Sequence, residues 1–461
     1  MEIVLNKVEP SADLAADLPV VNMDTERYKS VGFLRMAQRA VREHGPRLRL
    51  IFEHDERKIM LIGPEFSEAW RRNSRSLVKD VDEYPAPASL ARMILDNNLT
   101  TAREGDEWED MRVQVSPLMR YKMTSYADAV EAASDYMIDA LLADRPEETL
   151  WDICAKWSAM TVCHPVLGVC FDDAMVLDMV NGLRHTMFHL VKESANVDHP
   201  TLLNDKVLTE MRQTLVQITR DAIYLSKPDD PTMVATLLRD RDHTFGTQAN
   251  DALVKELQPI LMGALAAAVH NNSLAMFWLM TNLAQSQSST ARIAQEAATT
   301  AGDDWHMQNA PVAMAAVRES LRLHPVLPFI ERKASQDLDL CGVPVKKGET
   351  IIMSAWFVHR DPDTWADPLR FDINRFLNIE RVDMTKWFPF GLGHRACIGS
   401  NLALNQLGRS ITKICHGLEF TPPKNVTLSN WQPTYRVLLE PRDNGAQLDS
   451  KRRNFPTLKE L

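Results

Sequence analysis

The chain has 461 residues, 45% of them apolar and 25% charged, with a mean hydropathy of −0.25, which excludes a disordered or collagen-like protein. Fifty-two basic residues face 62 acidic ones, a formal charge of −10. An acidic pI near 5.8 argues against nucleic acid as a general partner, because phosphate binding needs a basic face.

Residues 1–19 contain acids and a proline but neither a basic stretch nor a long apolar run, so they read as no signal peptide and no membrane anchor. Tyr28 to His44 has helical spacing and stops at Gly45-Pro46. Arg47–Phe52 and Lys58–Ile62 read as two strands joined by a charged turn, and Pro64 opens another helix. From Asp106 to about Lys227 the pattern is a succession of helices, broken clearly at Lys227-Pro-Asp-Asp-Pro231. A long helix from about Asn250 to Gln287 follows. Its stretch from Leu257 to Ala291 lacks Asp, Glu, Lys and Arg, yet Pro259, His270, Asn271, Asn272, Ser273 and Asn282 interrupt it. Polar groups are costly in lipid, so a core helix is the better reading. A shorter helix spans Pro311–Leu323, with proline in its first turn. Val326 to Ser354 is strand-like, with turns at Cys341-Gly342 and Lys347-Gly348. An irregular aromatic stretch (His359–Pro389) leads to a glycine-rich loop, a helix over about Ser400–His416, and a tail of strand and loop. Few glycines (17) and 22 methionines agree with a mainly α chain. The sequence shows no internal repeat. One unit over residues 1–461, mainly α with a small β-sheet region at about 47–62 and 326–354, is the expected architecture.

Six cysteines (Cys154, Cys163, Cys170, Cys341, Cys397, Cys415) form no CxxC pair, which argues for a reducing compartment, a cytoplasmic location and mostly buried thiols. Cys397 is different. It lies in Phe390-Gly391-Leu-Gly393-His-Arg395-Ala-Cys397-Ile-Gly399, where a glycine-rich loop turns into a helix. Backbone N–H groups at a helix start stabilise negative charge, so a cysteine there can be held as a thiolate, the form that ligates metal. The glycines let backbone pass close to a flat ligand.

The segment 390–399 resembles the heme-binding loop of the cytochrome P450 family, and the rest of the chain supplies independent matches. Glu319-Ser-Leu-Arg322 resembles the family's E-x-x-R motif, about 75 residues before the cysteine. Phe371-Asp-Ile-Asn-Arg375-Phe376 resembles F-x-P-E-R-F, with Ile373 and Asn374 in place of the usual proline and glutamate; Arg375 would complete a structural triad with Glu319 and Arg322. Trp108 and Arg112 resemble a W-x-x-x-R pair on one helix face, placed to donate to a heme propionate, and Arg332 and Arg395 match further propionate arginines. The resemblance implies a cytochrome P450 fold of the soluble, bacterial type. It also implies heme b (iron protoporphyrin IX) between the central helix and the cysteine-loop helix, with Cys397 as axial ligand. Phe390, Gly391, Arg395, Gly399, Trp108, Arg112 and Arg332 would be the cofactor-binding residues.

The central helix departs from the family pattern. Aligned on Trp278, Ala267-Ala268-Val269-His270-Asn271-Asn272 stands where most members carry an acid–alcohol pair that relays protons. His270 replaces the acid and Asn271 the threonine, making these two the candidate catalytic residues; histidine can carry a proton, asparagine can only position water. The family likeness implies a monooxygenase inserting oxygen from dioxygen into a small organic substrate. The missing pair motivates an alternative: a reductant-independent isomerase, dehydratase or peroxygenase acting on a peroxide-type substrate. A non-catalytic heme-binding protein is a further alternative. Residues 398–461 leave no room for a fused reductase, so a separate ferredoxin or flavodoxin-type electron donor is expected, docking near Arg120, Lys122, Lys386, His394 and Arg409. The substrate pocket would be lined by the segment before Trp108 (including Asn97 and Asn98), by Ala264 to Asn271, and by Val326 to Phe329.

Overall fold

The computed structural model describes residues 18–23, 33–52, 57–82, 92, 97–120, 126–143, 148–168, 206–300, 305–377, 379, 381–422, 433–436, 438–441 and 448–453. Twelve helices and twelve strands lie among the described residues. The six-stranded mixed sheet has the order β1-β2-β3-β8-β5-β4. Its strands are β1 (Val20–Asn22), β2 (Arg47–Ile51), β3 (Arg57–Leu61), β4 (Leu77–Val78), β5 (Phe329–Ala334) and β8 (Thr350–Ser354). Sequence segments almost 300 residues apart thus share one sheet: β3 pairs parallel with β8, Ile59 opposite Ile351. A small hairpin, β6 (Leu338–Leu340) with β7 (Val343–Val345), turns at Cys341-Gly342, both at positive φ. Towards the C-terminus β9 (Leu418–Thr421) pairs with β12 (Asp449–Arg452), and β10 (Pro433–Arg436) with β11 (Leu438–Pro441).

The helices that position the site are α3 (Asp106–Arg120), α4 (Ala127–Leu142), α5 (Leu150–Leu167), α8 (Asp251–Ala284), α10 (Pro311–Leu323) and α12 (Ser400–Gly417). The remaining six are α1 (Phe33–His44), α2 (Pro64–Arg72), α6 (Lys206–Leu225), α7 (Met233–Arg239), α9 (Gln287–Thr300) and α11 (Ala355–Val358). Local chemistry sets their ends. Thr149 and Asp152 form a reciprocal capping box at the start of α5, which closes on Gly168 at φ 72. Asn250 caps α8 by accepting the Leu253 N–H at 2.8 Å. Helix α9 is absent from the sequence reading: its Ser- and Thr-rich start looks like linker, but Ile293, Ala294 and Ala297 give it a buried stripe.

Helix α8 is long and apolar enough by composition to cross a membrane, but Leu257, Leu261, Leu265, Val269, Phe277 and Trp278 are buried inside the protein. It packs on α5, where Ser158 Oγ donates to Val269 O at 2.6 Å. Asn272 Nδ2 donates to Gln406 Oε1 of α12 at 2.7 Å, and Gln406 Nε2 in turn donates to Thr161 O of α5 at 2.7 Å. One chain of amides therefore ties three helices together.

The region before the cysteine loop is organised by a buried ion pair. Arg322 and Glu319 are both 0% exposed and meet through two bonds of 2.7 and 2.8 Å. Arg322 also donates to His359 O and Pro368 O, each at 2.7 Å, and to Arg370 O at 3.1 Å. Glu319 Oε1 accepts the Asp372 N–H at 2.9 Å and Arg375 Nε at 3.3 Å. The triad expected from the sequence is thus assembled despite Ile373 and Asn374. His359 carries this order onward: Nδ1 bonds to Arg322 O at 3.2 Å and Nε2 accepts the Phe388 N–H at 2.9 Å. That pattern requires a neutral ring protonated on Nδ1.

Burial, followed by the charges of Arg322 and Arg360, pushes His359 well below its ordinary 6.5, and burial does the same to His324. A depressed histidine pKa means the unfolded chain takes up protons that the folded one refuses. The contribution of these two histidines is therefore constant above about pH 6.5 and lowers stability as pH drops below it. The urea midpoint should be lower at pH 5.5 than at pH 7.5, with a smaller difference in His359→Gln; identical pH dependence in the two proteins would contradict this assignment.

Candidate functional site

Cys397 sits three residues before the first residue of α12, on a loop closed by backbone hydrogen bonds. Gly391 N–H reaches Phe388 O at 3.0 Å, Ala396 N–H reaches Gly393 O at 3.1 Å, and Cys397 N–H reaches Phe390 O at 2.8 Å. Gly391 and Gly393 adopt φ 77 and 78, a conformation that favours glycine. At Gly393 a Cβ would also stand 2.3 Å from Ser74 Cβ, so the loop presses directly on the segment after α2. Phe390 packs edge-on against Trp387, ring centroids 6.3 Å apart.

The Cys397 side chain is accessible, unlike the buried thiols of Cys154 and Cys415. Surrounding protein nevertheless pushes its thiol pKa up, opposed by the Gly399 N–H and the positive charge of Arg112. This is a sulfur set deep within walls yet open on one side. A cation on that open side would favour the thiolate.

Trp108, in the first turn of α3, is nearly buried. The Arg112 guanidinium lies 5.1 Å from its ring centroid and that of Arg395 5.0 Å, an arrangement favourable for both cations. The His394 ring meets it edge-on at 5.1 Å. Arg332 projects from β5, its Nη1 donating to Glu331 O at 2.6 Å. Sequence reasoning overlooked Lys79, just past β4, whose Nζ donates to Thr100 O. Burial, then the neighbouring charges of Arg332 and Arg395, lowers Lys79 to about 7. Burial and Arg395 lower Arg332 to about 10, against the opposing pull of Glu104 and Glu331. Among the described residues neither Lys79 nor Arg332 has a carboxylate within ion-pair distance, whereas Arg395 bonds Glu104 at 2.6 Å. This excess of enclosed positive charge matches a dianionic group.

On α8 the residues Ala264, Ala267, Ala268 and Asn271 keep accessibility, as does Ala266, while Leu265, Val269, His270 and Asn272 are buried. Spacings of three and four put the first four on one face. Asn271 Nδ2 donates to Ala267 O at 2.6 Å. His270 is not on that face. It is buried and meets Trp151 of α5 edge-on at 5.5 Å, because adjacent helix residues diverge by about 100°. The two expected catalytic residues are therefore placed apart: Asn271 lies on the accessible stripe and His270 in the helix interface. Gly263, at the head of the stripe, receives the segment before α3; a Cβ there would stand 2.6 Å from Asn98 Cβ. The Asn98 amide oxygen is turned into its own loop, accepting Thr100 N at 2.9 Å and Thr100 Oγ1 at 2.7 Å. Leu327 is accessible between buried Val326 and Pro328.

The structure divides the residues expected at the docking face. Arg409 is buried and paired with Glu131 of α4, and His394 is held by Glu104. Lys386 is exposed, 3.8 Å from Asp383. The Arg120 side chain and all of Lys122 lie outside the described residues.

A thiol on a glycine loop at a helix start, enclosed cations and a small-residue stripe on a long helix are the donor set and surfaces that a thiolate-ligated, dianionic flat group requires. A family model for cytochrome P450 matches residues 31–446. The chain belongs to the cytochrome P450 family, whose members hold heme b through a cysteine thiolate. Probable cytochrome P450 6w1 of Drosophila melanogaster is 31% identical over 371 residues, 73% of this chain and 72% of that protein. Cytochrome P450 76C3 of Arabidopsis thaliana is 29% identical over 195 residues, and tabersonine/lochnericine 19-hydroxylase of Catharanthus roseus 28% over 196. The chain matches 38% and 39% of the length of these two plant relatives, and 40% and 41% of its own length is covered. The bacterial-type expectation draws no support from these plant and insect proteins.

Proposed function

We propose that the protein is a heme-thiolate monooxygenase that inserts oxygen from dioxygen into a small organic substrate, using electrons from a separate donor of the ferredoxin or flavodoxin type. The observation that carries this reading is the placement of Cys397 at the start of α12, accessible on one side, with the Gly399 N–H directed at its sulfur. Heme bound there would supply redox and oxygen-activating chemistry, and thiolate donation favours O–O cleavage. Trp108, Arg112, Arg332 and Arg395, together with Lys79, would hold its propionates. Phe390, Gly391 and Gly399 would shape the thiolate side. The Ala264, Ala267, Ala268 and Asn271 stripe would form the opposite wall, small enough to admit a substrate, with Leu327 adding an apolar surface. The Asn271 amide would order water for proton delivery, since asparagine is itself no acid. The hydroxylase named among the relatives agrees with this class of reaction.

A second reading rests on the same stripe. It presents alanines and one amide, with neither an acid nor a hydroxyl, which suits rearrangement of a peroxide-type substrate without external electrons. Turnover should require both reductant and dioxygen. Equal turnover of a hydroperoxide in anaerobic, reductant-free buffer would overturn monooxygenation in favour of the second reading.

A further inference from the structure

Glu104 stands where the segment before α3 meets the cysteine loop. One carboxylate oxygen bonds His394 Nε2 and the other accepts Arg395 Nε at 2.6 Å. Arg395 Nη2 also donates to Ala102 O at 2.9 Å, and its side chain is only 5% exposed. Both bonded residues lie just upstream of Cys397. Neighbouring acids are engaged elsewhere: Glu107 with Arg92 at 2.8 Å, Glu109 with Arg75 at 3.0 Å and Glu331 with Lys58 at 3.0 Å. Glu104 is thus the carboxylate that pairs directly with Arg395 and His394. Two of the Arg395 nitrogens are already committed, which fixes the plane of the guanidinium and its distance from Trp108.

We propose that Glu104 is a positioning residue for the bound heme: it clamps His394 and Arg395 and adds a fixed negative charge beside the propionate-binding cations. The proposal rests on the heme-thiolate reading above. The clamp ties the cysteine loop to the segment before α3, so it resists heme loss. The charge stabilises the oxidised over the reduced iron, because ferric heme carries one more positive charge than ferrous.

The experiment compares heme-loaded wild type, Glu104→Gln and Glu104→Asp by spectroelectrochemical titration and by heme transfer to a heme-scavenging acceptor protein. Glu104→Gln should titrate at a more positive potential, with about a threefold higher reduced-to-oxidised ratio at the wild-type midpoint, and should lose heme faster. Glu104→Asp retains the charge but shortens the reach, so it should keep the wild-type potential while losing heme faster. Coincident potentials and loss rates in wild type and Glu104→Gln, with the thiolate band intact, would overturn the proposal. If Glu104→Gln does not fold, Glu104→Asp decides it: unchanged heme loss overturns it. A wild type that binds no heme sinks the underlying reading as well, a different result from heme-loaded proteins that behave alike.

Discussion

Cys397→Ala should abolish the long-wavelength Soret band of the reduced carbon monoxide complex while leaving the helical circular dichroism unchanged. The sulfur is the soft anionic donor at the site, and the accessible side chain contributes little packing that alanine would forfeit. The loop is instead held by main-chain bonds, Cys397 N–H to Phe390 O at 2.8 Å among them, which the substitution spares. Reductant-dependent turnover should fall to the uncatalysed level. Cys415, buried with its thiol pushed up to about 12, cannot substitute; Cys415→Ala should keep the band. Survival of the band in Cys397→Ala would remove the thiolate assignment.

The second large effect concerns folding. Glu319→Gln should cost about 3–5 kcal/mol, because it leaves the buried Arg322 charge without compensation. The loss is compounded at Glu319 Oε1, which serves Arg322, the Asp372 N–H and Arg375 together. Such a cost approaches the whole stability of a typical domain, about 5–15 kcal/mol, so the soluble yield should collapse. Arg375→Ala, which removes the longer 3.3 Å arm, should cost about 1–2 kcal/mol. Urea denaturation of the three proteins gives the comparison. A Glu319→Gln midpoint equal to wild type would show that the carboxylate charge is not needed there.

What could be read from the sequence was whatever repeats at short, fixed spacing. Glu319 and Arg322 are three residues apart on a helix, and their pairing follows from that alone; the cysteine loop carries its glycines within nine residues. Arg375 was assignable because it too sits in a recognisable segment. Lys79 and Glu104 were not assignable, because their relevance comes from partners roughly 250 to 300 residues away, brought together by β4–β5 pairing and by the Ser74–Gly393 approach. His270 lies off the accessible stripe for a different reason. Alignment fixes position along a helix but not its phase to one residue, and a single step turns a side chain from the accessible stripe into the α5 interface. Arg409 failed because a basic residue counts as surface until its partner is seen; Glu131 draws it inward.

The Asn272–Gln406–Thr161 amide chain anchors the long helix just past its accessible stripe. Its far end is held as well, by ion pairs of Asp251 with Arg220 and of Glu256 with Arg241, each at 2.6 Å, and Pro259 removes one main-chain hydrogen bond in between. The weakest point of the main-chain ladder therefore lies upstream of the stripe, between two fixed ends. A lineage descended from this sequence could retune what it accepts through residues before 272 alone.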